Sequence, residues 1–276
     1  MSWHFFARGV DGAYARSRLS EEIANLESLR GSLNADVEIA ASQFIRWSES
    51  AERGLTTAYG NPTATSLVRT ERFWRIREID SRTQRPLQLI HLEIERLLDS
   101  FKDLLDELDR ARRVVEVDES EALVILDTNV LVHGRPFDEV RWNDALNSKR
   151  VKILLPILII DELDKLKDGR QERARQPLKA IDRLLTSGAA SQSVSVRSGV
   201  RLQIVTEPRG HQRVARNDDE IVRQAEYLQA VGRNQITILT RDRGMRVRAE
   251  IAQLATMMLP ANLERTLHRP ESSEGE

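Results

Sequence analysis

The sequence has no cysteine, so neither a disulfide framework nor a thiolate-held metal is open to it, and a reducing compartment suits it. Net charge is nearly absent too. The 42 Lys and Arg residues stand against 43 Asp and Glu, so overall charge advertises neither a nucleic acid nor a membrane surface. Aromatic residues make up 5% of the chain, which leaves few stacking platforms for bases. No apolar run reaches the roughly 18 residues of a membrane span, and the start MSWHFFARGV lacks the pattern of a signal peptide. A soluble, cytoplasmic protein is expected. What the chain does hold is 276 residues, 31% charged and 40% hydrophobic, room for two domains of ordinary size.

The texture changes near residue 115. In RPLQLIHLEIERLLDSFKDLLDELDR the residues Leu87, Ile90, Ile94, Leu97, Phe101, Leu104 and Leu108 recur in alternating steps of three and four. That is a heptad seam, with Pro86 at a first helical turn. Segments around Leu19–Leu33 and Val37–Leu55 are also helix-like, and YGNPTATS breaks the run. Three or four helices are expected over 1–115, as a bundle or a coiled coil that dimerises the protein or docks a partner.

Beyond the acidic connector VEVDESEA, short β-branched runs (ALVIL, VKILLP, VRLQIV, ITILT, LATMML) alternate with helical patterns. The helices are expected at IIDELDKLK, PLKAIDRLLTS, NDDEIVRQAEYLQAVG and GMRVRAEIA. Strands apolar along their whole length and joined by helices indicate a parallel sheet covered on both faces. The stretch SVSVRSGVRLQIV suggests a hairpin at Ser198-Gly199. The second domain is set at 119–262, and the polar tail 268–276 is expected to be disordered.

Ligands of open α/β sheets bind beyond the carboxyl ends of the strands. Asp127 directly follows the first strand, Asp242 lies two residues past Thr240 after the fourth, Asp218 and Asp219 open a helix, and Glu162 sits one turn into another. Each alone is more often a helix cap than a ligand. Four acids able to reach one sheet edge are harder to dismiss. Clustered carboxylates without cysteine or a histidine pair suit a hard cation such as magnesium or manganese, which also relieves their mutual repulsion. One or two such ions could activate water for hydrolysis of a phosphodiester.

Over Ala122–Pro260 these residues resemble the PIN-domain nucleases. ILDTNVL is similar to that family's opening acidic motif, LPILIIDELDKLK to its second, NDDEIVRQA to its third and TRDRGMRVRA to its fourth. The closest likeness is to the larger type with a Glu-Leu-Asp-x-Leu-Lys helix, which includes domains attached to an ATPase and RNA-decay endonucleases. The sequence carries no GxxxxGK[ST] phosphate loop, so the ATPase part is missing. The resemblance implies a Rossmann-like PIN domain, here preceded by the all-α region. It implies that Asp127, Glu162, Asp218 and Asp242 hold Mg2+ or Mn2+, with Asp219 a rival to Asp218. Thr240 and Asn129 would hydrogen-bond the carboxylates, although Asn129 also suits an ordinary turn. A haloacid-dehalogenase-like phosphatase would want an acid where Asn129 stands. A receiver domain would want an acidic pair at the first strand and a lysine after the last, and both are absent.

Basic residues border the acids: Lys165, Lys167, Arg170, Arg173, Arg175 and Lys179 follow Glu162, while Arg241, Arg243, Arg246 and Arg248 surround Asp242. Arg241 and Arg243, with Lys165 and Lys167, are the candidates for substrate phosphate. Runs of this kind are also ordinary solvated helix faces. His133 and His211 are left outside the site, because a hydrated metal supplies its own nucleophile. The expected function is a metal-dependent endoribonuclease leaving 5′-phosphate and 3′-hydroxyl ends on single-stranded or structured RNA, with RNA implied by the resemblance alone. The competing readings are a catalytically silent RNA-binding or regulatory module and the ribonuclease toxin of a toxin–antitoxin pair.

Overall fold

The computed structural model describes residues 6–7, 9–80, 82–118, 120–169, 172–186, 192–208 and 211–265. The tail 268–276 and Arg170 therefore lie outside the described residues. The chain divides into two compact units, 1–116 with 227–233, and 117–226 with 234–276. No helix of the described residues is long and apolar enough to cross a membrane.

The first unit is built from α1 (Gly12–Ser32), α2 (Val37–Tyr59), α3 (Asn61–Val68), α4 (Glu71–Arg77) and α5 (Pro86–Val115). Local chemistry sets their starts. Asp11 accepts the Tyr14 N–H at 2.8 Å, Asp36 accepts those of Glu38 and Ile39, and Thr70 accepts that of Phe73. The YGNPTATS stretch breaks one helix only to begin another: Gly60 turns the chain, and Pro62 fits the first turn of α3, where no N–H is needed. Three or four helices were expected, and α3 and α4 raise the described number to five.

Six of the seven seam residues of α5 are buried, and Leu87 is half-buried. The helix packs against α1, α2 and α4 of the same chain, where Leu19, Leu26, Phe44, Trp47 and Phe73 complete the core. The heptad pattern is thus used within the bundle, and a second copy would have to dock on other surfaces.

The second unit runs β1 (Glu121–Leu126), α6 (Thr128–His133), α7 (Trp142–Ala145), β2 (Arg150–Pro156), α8 (Ile157–Asp168), α9 (Glu172–Thr186), β3 (Val194–Arg197), β4 (Val200–Val205), α10 (Asn217–Gly232), β5 (Ile236–Leu239), α11 (Arg243–Ile251) and β6 (Ala255–Met257). The last residues of α10, from Tyr227, cluster with the helical unit. The sheet order is β3-β4-β2-β1-β5-β6, parallel except for the edge strand β3. Leu123, Val124, Ile125 and Leu126 of β1 are at most 2% exposed, as a strand covered on both faces requires.

The hairpin joining β3 to β4 turns at Ser198-Gly199, where Gly199 adopts φ +71 and a side chain would meet the Lys149 carbonyl at 3.1 Å. Helix α9 starts at Glu172 and not at Pro177, which sits inside it as a buried residue. Proline removes one N–H from the ladder there, and the apolar face that Pro177 shares with Ala174, Leu178 and Ile181 carries the helix through.

From β1 the chain moves outward to β2 and β4 on one side, then returns to place β5 and β6 on the other. The order reverses between β1 and β5. A crevice opens at such a reversal, just beyond the strand ends.

Candidate functional site

Asp127 leaves β1 at that reversal. Its N–H donates to the Leu239 carbonyl at 3.0 Å, continuing the pairing of β1 with β5, and its carbonyl accepts the N–H groups of Val130 and Leu131. The residue therefore occupies the N-cap position of α6, yet its side chain caps nothing. Instead the carboxylate accepts the Thr240 hydroxyl at 2.7 Å and lies within 3.5 Å of the Asn129 amide, at the limit for a hydrogen bond. Asp127 is 4% exposed and Thr240 fully buried. Burial pushes the Asp127 carboxyl up to about 6; the Thr240 hydrogen bond opposes this, and the Asp218 and Glu162 carboxylates add to it. A cap would be settled by backbone N–H groups. This acid is not.

Glu162 is held on both oxygens. Thr128, the residue after Asp127, donates its hydroxyl to one, and the Asn217 amide donates to the other at 2.5 Å. Those two bonds fix the rotamer and still leave lone pairs on a carboxylate that offers about four. Asp218 is partly exposed at the start of α10. Burial raises its pKa, Arg248 opposes this as the next largest influence, and Asp242 and Glu162 raise it further. Asp242 is exposed and does act as a cap, its Oδ1 accepting the Met245 N–H at 2.7 Å to begin α11. Asp218 thus lies within electrostatic reach of each of the other three acids, and Asp127 within reach of Glu162.

Arg248 on α11 is the cation among them. Its guanidinium donates to Asp218, and its Nε lies 3.1 Å from Asp219. Room for it comes from Gly244, where a Cβ would stand 3.1 Å from Asp242 Oδ1 and 3.2 Å from Arg248 Nη1. Asp218 and Asp219 therefore share one counter-charge, which keeps the two neighbours hard to tell apart by role.

The donor chemistry fits a hard divalent cation: several carboxylate oxygens, no sulfur, and mutual repulsion that a cation would relieve. Among the described residues, however, no three His, Cys, Asp or Glu side chains converge closely enough to cage an ion by themselves. Magnesium is ordinarily held by one or two carboxylates and several waters, so the set suits a largely hydrated ion.

The basic candidates separate. Lys167 is paired with Asp164 at 2.8 Å on the exposed side of α8, the arrangement of a solvated face. Lys165 is exposed on the same helix, and Arg243 is exposed at the start of α11. Arg241, next to Thr240, lies 3.4 Å from Glu264. His211 is structural: its ring meets Glu220 at 2.6 Å with both side chains buried, and Glu220 also accepts the Val214 N–H at 3.0 Å, fastening that loop to α10. A cleft of about 480 Å3 lined by Arg135, Glu139, Arg141, Asp144, Pro260 and Asn262 contains none of the four acids.

Sequence reasoning missed Thr128 and Asn217, and passed over Arg248 as one of a basic group. The first two stand directly beside Asp127 and Asp218, and a short donor next to each acid was the available signal. Arg248 is five and six residues from Arg243 and Asp242 with nothing in its spacing to mark it.

Residues 124–259 match the family model of the PIN domain, a nuclease-type fold. The fold, a helical region followed by a mostly parallel six-stranded sheet with flanking helices, is consistent with a PIN domain preceded by a helical region. A solved domain of a functionally unknown protein from Methanocaldococcus jannaschii DSM 2661 is similar at 14% identity, over 53% of this chain and 96% of that one, with a TM-score of 0.35. No curated protein matches.

Proposed function

We propose, with the PIN domain at residues 124–259 as the premise, that the protein is a metal-dependent endoribonuclease of the larger PIN type. Asp127, together with Glu162, Asp218 and Asp242, would hold Mg2+ or Mn2+, one ion or two. The observation that carries this is the state of Asp127, buried, not used as a cap, and raised to about 6 beside two further acids. Such a group is costly to leave uncompensated.

A bound divalent ion supplies Lewis acidity toward phosphate and makes a coordinated water more acidic. The chain's own part is to keep the ligands oriented. Thr240 directs its only hydroxyl proton at Asp127, because its oxygen accepts the Asp242 N–H at 3.0 Å. Thr128 and Asn217 fix Glu162. Arg241 and Arg243 stand where a phosphate backbone would approach the strand ends. In the reaction, water adds at phosphorus and the bond to the 3′-oxygen breaks, leaving a 5′-phosphate and a 3′-hydroxyl. RNA is the proposed partner and the cytoplasm the proposed location, with the helical unit as the docking module.

One feature favours a second reading. Arg248 already neutralises Asp218, and no three acids converge among the described residues, an arrangement that suits an RNA-binding module without turnover. Incubating the full chain with labelled single-stranded RNA and Mn2+ or Mg2+, beside EDTA and Asp127→Asn controls, separates the two. Cleavage lost in both controls supports the nuclease. Binding without cleavage on several RNAs favours the silent module.

A further inference from the structure

We propose that Arg173, Arg241 and Arg265, gathered around His133, form a cationic shelf at the far end of α6 that binds the backbone phosphates flanking the scissile one. The inference rests on the nuclease reading for the identity of its polyanion, but not for the existence of the shelf.

Helix α6 carries Asp127 at its N-cap and His133 as its last residue. Six residues at about 1.5 Å each place the two ends about 9 Å apart. The chain returns to the His133 end from its C-terminal segment. Arg135 N–H donates to the Leu263 carbonyl at 2.8 Å, Arg265 N–H donates to the His133 carbonyl at 3.2 Å, and Gly134 bridges Glu264. This stitch fixes Arg265 beside His133. Arg241 comes from the other direction, off the end of β5, and reaches Glu264 at 3.4 Å. Arg173 lies in the first turn of α9, which packs against α6.

The three guanidinium groups come from three separate elements. All three act on one histidine: burial, and then Arg241, Arg173 and Arg265, hold the His133 ring below its ordinary range. That shift favours the neutral ring, and of the three guanidinium groups Arg241 is the one paired with Glu264.

Some arginines of this unit are matched to acids, Arg201 to Glu121, Arg213 to Asp161 and Arg248 to Asp218, while others among the described residues, such as Arg135, Arg141 and Arg243, are not. Among the described residues, Arg173 and Arg265 make no such pair. Like charges gathered without counter-ions are unfavourable, and a polyanion relieves them as a cation relieves the acids at the other end of α6. Guanidinium forks suit phosphate oxygens. A strand entering over the shelf would present its next phosphate toward Asp127. Lys167 of α8 competes poorly for this role, because it is already paired with Asp164.

The test measures binding of a labelled single-stranded RNA to the full chain in EDTA over a range of KCl concentrations. The variants are Arg173→Ala, Arg265→Ala, their double, and Arg173→Glu, with Arg75→Ala on α4 as a control. Each alanine is expected to weaken binding about 3–10-fold, and to reduce the slope of log affinity against log salt by about 0.7, the value for one phosphate contact on a single strand. The double and the charge reversal are expected to lose more, and Arg75→Ala to lose nothing. A double variant with wild-type affinity and slope overturns the shelf, as does a wild-type chain that binds no RNA.

Cleavage in Mn2+ is read separately. Wild-type cleavage with undiminished binding by the double variant rejects the shelf and leaves the nuclease standing. Shelf-dependent binding with no wild-type cleavage keeps the shelf and rejects the nuclease.

Discussion

The Thr240 hydroxyl and the Asp127 carboxylate are joined by a 2.7 Å hydrogen bond that spans the reversal point between β1 and β5. Both groups are buried, and the same Thr240 oxygen accepts the Asp242 N–H. One hydroxyl thus links the ends of two neighbouring strands and sets the direction of the central acid. Thr240→Val keeps the shape and removes the bond. It should lower stability by about 1–2 kcal/mol and weaken Mn2+ binding several-fold by electron paramagnetic resonance, while Thr240→Ser restores both. A valine variant that binds Mn2+ like the wild type would show that Thr240 does not orient Asp127.

Asp127→Asn should abolish cleavage yet stabilise the metal-free protein. The folded carboxyl is raised to about 6, so its proton is favoured in the fold, and that advantage is lost as pH rises from the ordinary aspartate range through 6. At pH 7 the penalty is fully present and amounts to about 1–3 kcal/mol. Calorimetry in EDTA should find a higher melting temperature for the variant, and added Mn2+ should raise only that of the wild type. Equal responses to Mn2+ would remove Asp127 from the ligand set.

The same acid makes cation binding depend on pH. Below about 6 a proton occupies the carboxyl that the ion needs. Mn2+ affinity should be flat above pH 7 and decline steadily below 6. A profile unchanged down to pH 5 would speak against Asp127 as a ligand.

Arg248 sets a positive charge against Asp218 and Asp219. Replacing it by methionine keeps much of the packing and removes the competitor, so Mn2+ should bind several-fold more tightly. Weaker binding would mean that Arg248 is needed to position those acids.

In the helical unit, burial pushes the Glu107 carboxyl up to about 7. Stability credited to its protonated form is present below 4.5 and is lost as pH climbs through 7. Glu107→Gln should therefore flatten the decline in melting temperature across that window, and a parallel decline in both proteins would exclude Glu107 as its source.

The sheet was legible because short β-branched runs recur between helical patterns, and because β1 and the end of β2 are apolar without alternation, as burial on both faces allows. ALVIL, VKILLP, VRLQIV, ITILT and LATMML each overlap an observed strand, and the Ser198-Gly199 turn sits between β3 and β4. Less was legible in α6 and α7, whose six and four residues are too short to show a helical period. Spacing pointed to the four acids but could not say which serve as caps. Asp127 and Asp242 both occupy the N-cap position of the helix that follows their strand, yet only the second binds the first turn of its helix. That difference is made by Thr240, a contact 113 residues distant in the chain.

The family match ends at residue 259, but the chain is still being sewn into the domain at 263–265, where it pairs with 133–135. A recombinant fragment trimmed to the matched limits would leave the Arg135 N–H and the His133 carbonyl without their partners and would discard Arg265. Anyone expressing the nuclease-type domain alone should carry the sequence through at least residue 265.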